Sequence, residues 1–242
     1  FRLERILPQP GSGLILNLLE DQTRTYSDDA ELRCERAPGA VFGGQFTRSF
    51  VIDSREQVSV MGVMLHPGGA CAFLRERMDL LGNRHVALED LVGPSGRALR
   101  ERLLEAPGAD ARLALLADWL LMRFREPPLH PAVRQALATF ERSPVIDRIG
   151  ALVADSGLSA RRFGTLFREH IGVGPKQYAR LKRFRMVVAG VRQGRPVEWA
   201  RVAADGGFHD QSHLVHEFRA FSGMTPGAYV AQRGQHANHV AL

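Results

Sequence analysis

Two spacings of apolar residues divide the chain. From Leu14 to His66 they come in short runs of strand length: Leu14–Leu19, Glu31–Cys34, Ser49–Ile52 and Gln57–Leu65. Gly, Pro, Asp and Ser punctuate them at 8–13, 27–29, 38–39 and 53–54, a pattern that predicts a small barrel or sandwich. Arg33, Phe42, Phe46, Phe50, Met61 and Met64 then either line a pocket or pack as core. Beyond His66 the spacing lengthens to three and four residues, predicting helices over 70–81, 94–104 and 110–124. The last carries Leu113, Leu116, Leu120 and Phe124, widened by Leu115, Trp119 and Met122; this face suits either its own barrel or a second copy of the chain. Three prolines among residues 127–131 cannot continue a helix and predict a linker, which divides the chain into 1–127 and 128–242. Pro131 suits the first turn of a new helix, to Arg142, with Val133, Leu137 and Phe140 on one side.

The second half repeats itself. Ile149, Leu152, Val153, Gly157 and Leu158 recur fifty residues later as Trp199, Val202, Ala203, Gly207 and Phe208. After one inserted residue, Phe163, Phe167, Gly172, Pro175 and Tyr178 recur as Leu214, Phe218, Gly223, Pro226 and Tyr229. Each copy reads as helix, glycine turn, helix: the outline of a helix-turn-helix, whose second helix enters a DNA major groove. In the first copy Asp147 caps a helix over 148–155, and Ser159 caps a second over 160–170. In the second copy a helix opens at Pro196 and ends near Asp205, and the outer helix, capped by Asp210 or Ser212, runs to about Phe221. Between the copies, 175–190 reads as one long helix with Tyr178, Leu181, Phe184, Val187 and Val188 on its apolar side and Lys176, Arg180, Lys182, Arg183 and Arg185 on its polar side. Sixteen residues make a rod of roughly 24 Å. Such a rod can hold the two outer helices about one DNA turn apart, near 34 Å, in successive major grooves.

Charge sharpens this. Residues 1–140 hold 17 Lys+Arg and 18 Asp+Glu, a net of −1, whereas 141–242 hold 15 and 8, a net of +7. The basic excess belongs to the repeat and points to a polyanion partner. With 45% apolar residues, no run long enough to span a membrane, and no signal-peptide layout at the start, the composition predicts a two-domain cytoplasmic protein. Cys34 and Cys71 are too few for a disulfide framework and are expected to be small buried residues.

The residues also carry a resemblance. Ala151–Ser159, Phe163, Leu166-Phe167 and Gly172-x-x-Pro175-x-x-Tyr178, followed by Gly207–Leu214, Glu217-Phe218-Arg219 and Gly223–Tyr229, resemble the two halves of the AraC/XylS-family DNA-binding domain, over roughly 130–232. The stretches 62–70 and 88–93 are similar to sensor domains in one branch of that family. The resemblance implies a bacterial transcription regulator, usually an activator that contacts RNA polymerase, with an N-terminal domain that binds a small-molecule effector or forms a homodimer. Where the family commonly has Ser and an aromatic, this chain has His209 and His213, and Gly164 replaces a larger polar residue on the first outer helix.

The expected fold is therefore α+β: a β-rich, barrel-like sensor with trailing helices, joined to an all-α domain of two helix-turn-helix motifs. Arg161 and Thr165 on the first outer helix, and Gln211, Ser212, Val215 and His216 on the second, are the candidates to touch base edges of double-stranded DNA. Arg162, Arg168, Lys176 and Arg219 suit phosphates, which position without specifying sequence. One alternative is a ligand-independent repressor or architectural DNA binder. Another is a cupin-like metal-dependent enzyme, against which His66 is the single His of the strand region. His209, His213 and His216 share a helical face, but no Cys lies near them and a metal would occupy the DNA-reading surface. No metal, cofactor or catalytic residue is expected.

Overall fold

The computed structural model describes residues 3–126, 129–143, 149–191 and 196–242. The strands of its N-terminal part, with one from the end of the chain, form two antiparallel sheets. The first orders β4 (Cys34–Pro38), β3 (Gln22–Tyr26), β6 (Phe50–Asp53), β1 (Leu3–Ile6) and β9 (His239–Ala241). The second orders β7 (Val60–Leu65), β2 (Ser12–Asn17), β5 (Ala40–Gly43) and β8 (His85–Ala87). The expected strand at 31–34 begins only at Cys34, where β4 starts to pair with Tyr26.

Helices α1 (Leu88–Val92), α2 (Ser95–Glu105) and α3 (Ala109–Arg123) cover the second sheet. Leu14, Leu16, Ala40, Leu88, Leu99, Leu103, Leu116 and Trp119 form the shared core. The α3 stripe is thus divided: Leu116 and Trp119 are buried, whereas Leu113 and Met122 are exposed, as is Leu121 outside it.

The helix expected over 70–81 does not form. Two 3-10 turns, Gly69–Ala72 and Met78–Leu80, stand in its place. The Ala72 carbonyl, which a helix would offer to Glu76, instead accepts the Arg125 N–H at 2.9 Å. Ala70, Leu74, Met78 and Leu81 still reach a common core with Phe42, by turns rather than by one face of a helix.

Seven helices follow among the described residues: α4 (Pro131–Arg142), α5 (Ile149–Asp155), α6 (Ala160–Ile171), α7 (Pro175–Gly190), α8 (Trp199–Asp205), α9 (Gln211–Ser222) and α10 (Pro226–Gln232). The α8 helix starts later than the expected 196, because Val197 turns into the core ahead of it. Residues 127–128, where the domain boundary was expected, lie outside the described residues, as does Asp147, the expected cap of α5. Each repeat closes its own aromatic core. Phe140, Phe163, Phe167 and Tyr178 gather in the first, with Phe140 and Tyr178 ring centres 4.9 Å apart. Phe184, Phe218, Phe221 and Tyr229 gather in the second, with Phe184 and Phe218 5.0 Å apart. Both inter-helix turns pass through a glycine at the same φ, +65° at Gly157 and at Gly207, where a side chain would be strained.

The two parts share a seam. Strand β9 pairs antiparallel with β1, Glu4 opposite Ala241 and Ile6 opposite His239. Leu7, next to β1, is buried in the core of the second repeat together with Val240. No helix among the described residues is long and apolar enough to cross a membrane.

Candidate DNA interface

Helices α6 and α9 are the second helices of the two motifs, and their ends are built alike. Ser159 accepts the Arg162 N–H at the start of α6; Asp210 accepts the His213 N–H at 2.7 Å at the start of α9. These caps satisfy N–H groups that would otherwise face water alone. At the other end both helices close on a left-handed glycine, Gly172 (φ +91°) and Gly223 (φ +70°), the same place in the two repeats.

The buried side of α6 carries Phe163, Leu166, Phe167 and Ile171, and that of α9 carries Leu214, Phe218 and Phe221. What remains outward are the residues expected to meet DNA. Arg161, Arg162 and Arg168 are exposed and Thr165 half-exposed on α6. Gln211, Ser212, His216 and Arg219 are exposed and Val215 half-buried on α9, where Val215 also packs against the second core. Lys176 is exposed in the first turn of α7. The two sets lie on different helices and each is contiguous on its own. Arg219 differs from the rest in also lining a cleft of about 560 Å³ against Asp28, Asp29 and Glu35 of the barrel. Gly164 is buried, yet a Cβ there would meet only the Arg168 guanidinium, at 3.7 Å.

The expected polar side of α7 is not a solvated face. Arg180 makes a two-pronged contact with the buried Glu217 of α9, at 2.7 and 2.9 Å. Lys182 reaches Glu141 at 2.7 Å. Arg183 lies over the Phe208 ring, and Arg183 Nε and Arg185 Nη1 are buried with no hydrogen-bond partner among the described residues. Burial pushes the Glu217 carboxyl up, but the hydrogen bonds and charge of Arg180 outweigh it and hold its pKa below the ordinary value. Sequence pattern gave no sign of this pair beyond the acidic residue in an otherwise apolar stripe.

His209, which precedes α9, and His213 and His216 on it do not form a metal-holding group. His213 Nδ1 accepts the His209 N–H at 3.1 Å, and its ring packs edge-on against Phe208. No group of three or more His, Cys, Asp or Glu among the described residues is placed to hold a metal. The cysteines are not both buried as expected. Cys34 is exposed on the β4 edge strand, and Cys71 is half-buried with its thiol 3.6 Å from the His170 carbonyl oxygen.

The two sheets line a partly open cavity of about 270 Å³. Phe46, Phe50 and Met64 line it, as do Asn238 and His239 from the end of the chain. Of the other residues expected at a pocket or core, Phe42 is fully buried core, Met61 packs beneath the helices, and Arg33 lies in the outer cleft. One wall is a cluster of rings: Phe46 lies 4.8 Å from Phe50 and 4.9 Å from His85. Burial pushes the His85 pKa down to about 4, so the imidazole in this wall is neutral at pH 7.

Residues 152–232 match the model of a helix-turn-helix domain family, and residues 2–87 match a domain of unknown function (DUF6597). No curated protein matches the chain. Among solved structures, ToxT from Vibrio cholerae shares the fold along nearly the whole length, at 11% identity, covering 96% of this chain and 94% of that one, with a TM-score of 0.51. The DNA-binding domain of AdpA, a global transcriptional factor in complex with a target DNA, is 24% identical over 42% of this chain and 92% of its own, with a TM-score of 0.37. Residues 152–232, with their two helix-turn-helix units, thus form a helix-turn-helix domain of the AraC type.

Proposed function

We propose that the chain is an effector-responsive activator that reads two successive major grooves, one with α6 and one with α9. The observation that carries this is the likeness of the two helices: a side-chain cap on the N–H three residues on, a left-handed glycine end and an outward polar face each, joined by a 16-residue helix. Arg161, Thr165, Gln211, Ser212, Val215 and His216 touch bases in this reading, and Arg162, Arg168, Lys176 and Arg219 grip phosphates. The barrel cavity, apolar and walled by Phe46, Phe50 and His85, is the place for a small-molecule effector. Activation proceeds by contact with RNA polymerase in the cytoplasm, and the exposed Leu113, Leu121 and Met122 of α3 offer a face for a second copy.

Selection from a random duplex pool at two salt concentrations tests the DNA reading. Two enriched motifs about one helical turn apart are expected. Gln211→Ala should relax preference at one base position, costing about 1–3 kcal/mol. Arg168→Ala should weaken all sites alike and lower the salt slope by about one counterion. Equal effects of the two substitutions on every sequence would sink this division of roles. Sedimentation of the full chain, with and without Leu121→Glu, tests the second copy.

A further inference from the structure

One barrel loop, residues 44–49 between β5 and β6, touches the ends of both reading helices. At one end is Gln45, which is buried. Its Oε1 accepts the Gly11 N–H at 2.9 Å, and its Nε2 donates to the Gln9 and Phe46 carbonyls. It stands so close to the close of α6 that a Cβ added to Gly172 would lie 3.0 Å from Gln45 Cβ and 3.1 Å from the Met78 carbonyl oxygen. At the other end, the Ser49 N–H donates to the Phe221 carbonyl in the last turn of α9, at 3.0 Å. The Ser49 hydroxyl holds Asp28, whose carboxylate would lie 2.9 Å from a Cβ on Gly223. Arg5 Nε donates to the same carboxylate oxygen at 2.6 Å.

Gly172 and Gly223 are equivalent positions of the repeat, so the loop grips the same point of each motif. Its middle is tied down as well. Asn83 Oδ1 accepts the Thr47 N–H at 2.7 Å, and the Asn83 N–H donates to the Gln45 carbonyl at 3.1 Å. The long helix α7 joins the motifs on one side, and this loop braces them from the barrel. Two braces fix a separation better than one.

We infer that loop 44–49 is a positioning element for DNA reading: Gln45 and Ser49 hold α6 and α9 at one separation and so set the half-site spacing the protein accepts. This rests on the proposal that both helices read bases. A rigid two-headed binder gains avidity only where the sites match its span, whereas a loose one accepts a range of spans at lower affinity.

The test uses the full chain and a duplex series in which two selected half-sites are moved apart one base pair at a time. Each half-site alone is the control. Asn83→Gly removes the side-chain tie to Thr47 while keeping the left-handed backbone that Asn83 adopts at φ +54°. It should reduce the preference for the best spacing by about tenfold or more, while affinity for each isolated half-site stays unchanged. Asn83→Asp, which retains the acceptor oxygen, should restore it. If Asn83→Gly does not fold, Ser49→Ala, which removes the hydroxyl tie between the loop and Asp28, carries the same expectation. A sharp spacing preference that survives in the folded variant overturns the inference, and so does a preference that disappears only in step with half-site affinity. Absence of any two-site preference in the unsubstituted protein would instead overturn the reading by two helices, a separate failure.

Discussion

Gly164 occupies the middle of a helix whose outer face is otherwise built from arginines and Thr165. Glycine inside a helix costs about 1 kcal/mol against alanine, through the freedom it loses on folding. The site has room for a methyl group, since an added Cβ meets only the mobile end of Arg168. Gly164→Ala should therefore raise the unfolding free energy by about 0.5–1 kcal/mol in a denaturant titration. A loss of stability would mean that the helix backbone lies closer to its neighbours than the structure has it. Glu217 is the opposite kind of residue, a carboxylate inside an apolar stripe that the two-pronged contact of Arg180 makes tolerable. Its pKa is held down in the folded state, so its contribution is present above the ordinary carboxylate range and is lost as pH falls through the folded value. Glu217→Gln should flatten the acid limb of the stability curve while weakening the protein at neutral pH.

At the scale of elements, the ring wall of the barrel carries a pH dependence of its own. His85 has its folded pKa depressed from 6.5 to about 4, so the fold is fully supported above 6.5 and loses support as pH falls from there towards 4. A shift of that size corresponds to about 3 kcal/mol over that window. His85→Leu should abolish this part of the profile, as measured by the denaturation midpoint at pH 4.5 and 7.5. An unchanged profile would show that the imidazole is not held in an apolar wall.

The helical elements were legible in the sequence because their signals are local. Ser159, Asp210 and Pro131 mark starts, Gly172 and Gly223 mark ends, and the stripes repeat at helical spacing. Strand β3 was not, since its inward residues are Thr23 and Thr25 and it shows no apolar alternation. The false helix over 70–81 had the right apolar residues, but a backbone bond from Arg125, more than fifty positions away, decided against it. Of the candidate site, the outward residues of α6 and α9 could be named from the stripe they leave free. The pairing of half-buried Arg180 with Glu217 could not, because the partner lies on another helix.

The whole molecule joins its parts more closely than two domains on a linker would be joined. Leu7 sits in the core of the second repeat, and Asn238 and His239 line the barrel cavity. Val240 is fully buried between the two. Val240→Ala should cost about 2 kcal/mol, from the lost methyl groups and the space they leave. Because it touches both parts, the loss should appear as a single earlier transition whether unfolding is followed in the barrel or in the helices. Two separate transitions, only one of them displaced, would show that the seam does not couple them.

The pairing of β9 with β1 bears on how the molecule is assembled. Contacts between residues so far apart in the chain close late, after the loop between them has been ordered. During synthesis the outer edge of β1 remains bare while more than two hundred residues are still to be added. A bare edge accepts any strand of suitable pattern, including the last strand of a neighbouring copy, which is the starting point of a strand-exchanged dimer. Dilution during refolding should therefore favour the monomer, and crowding many growing chains on one message should favour exchange.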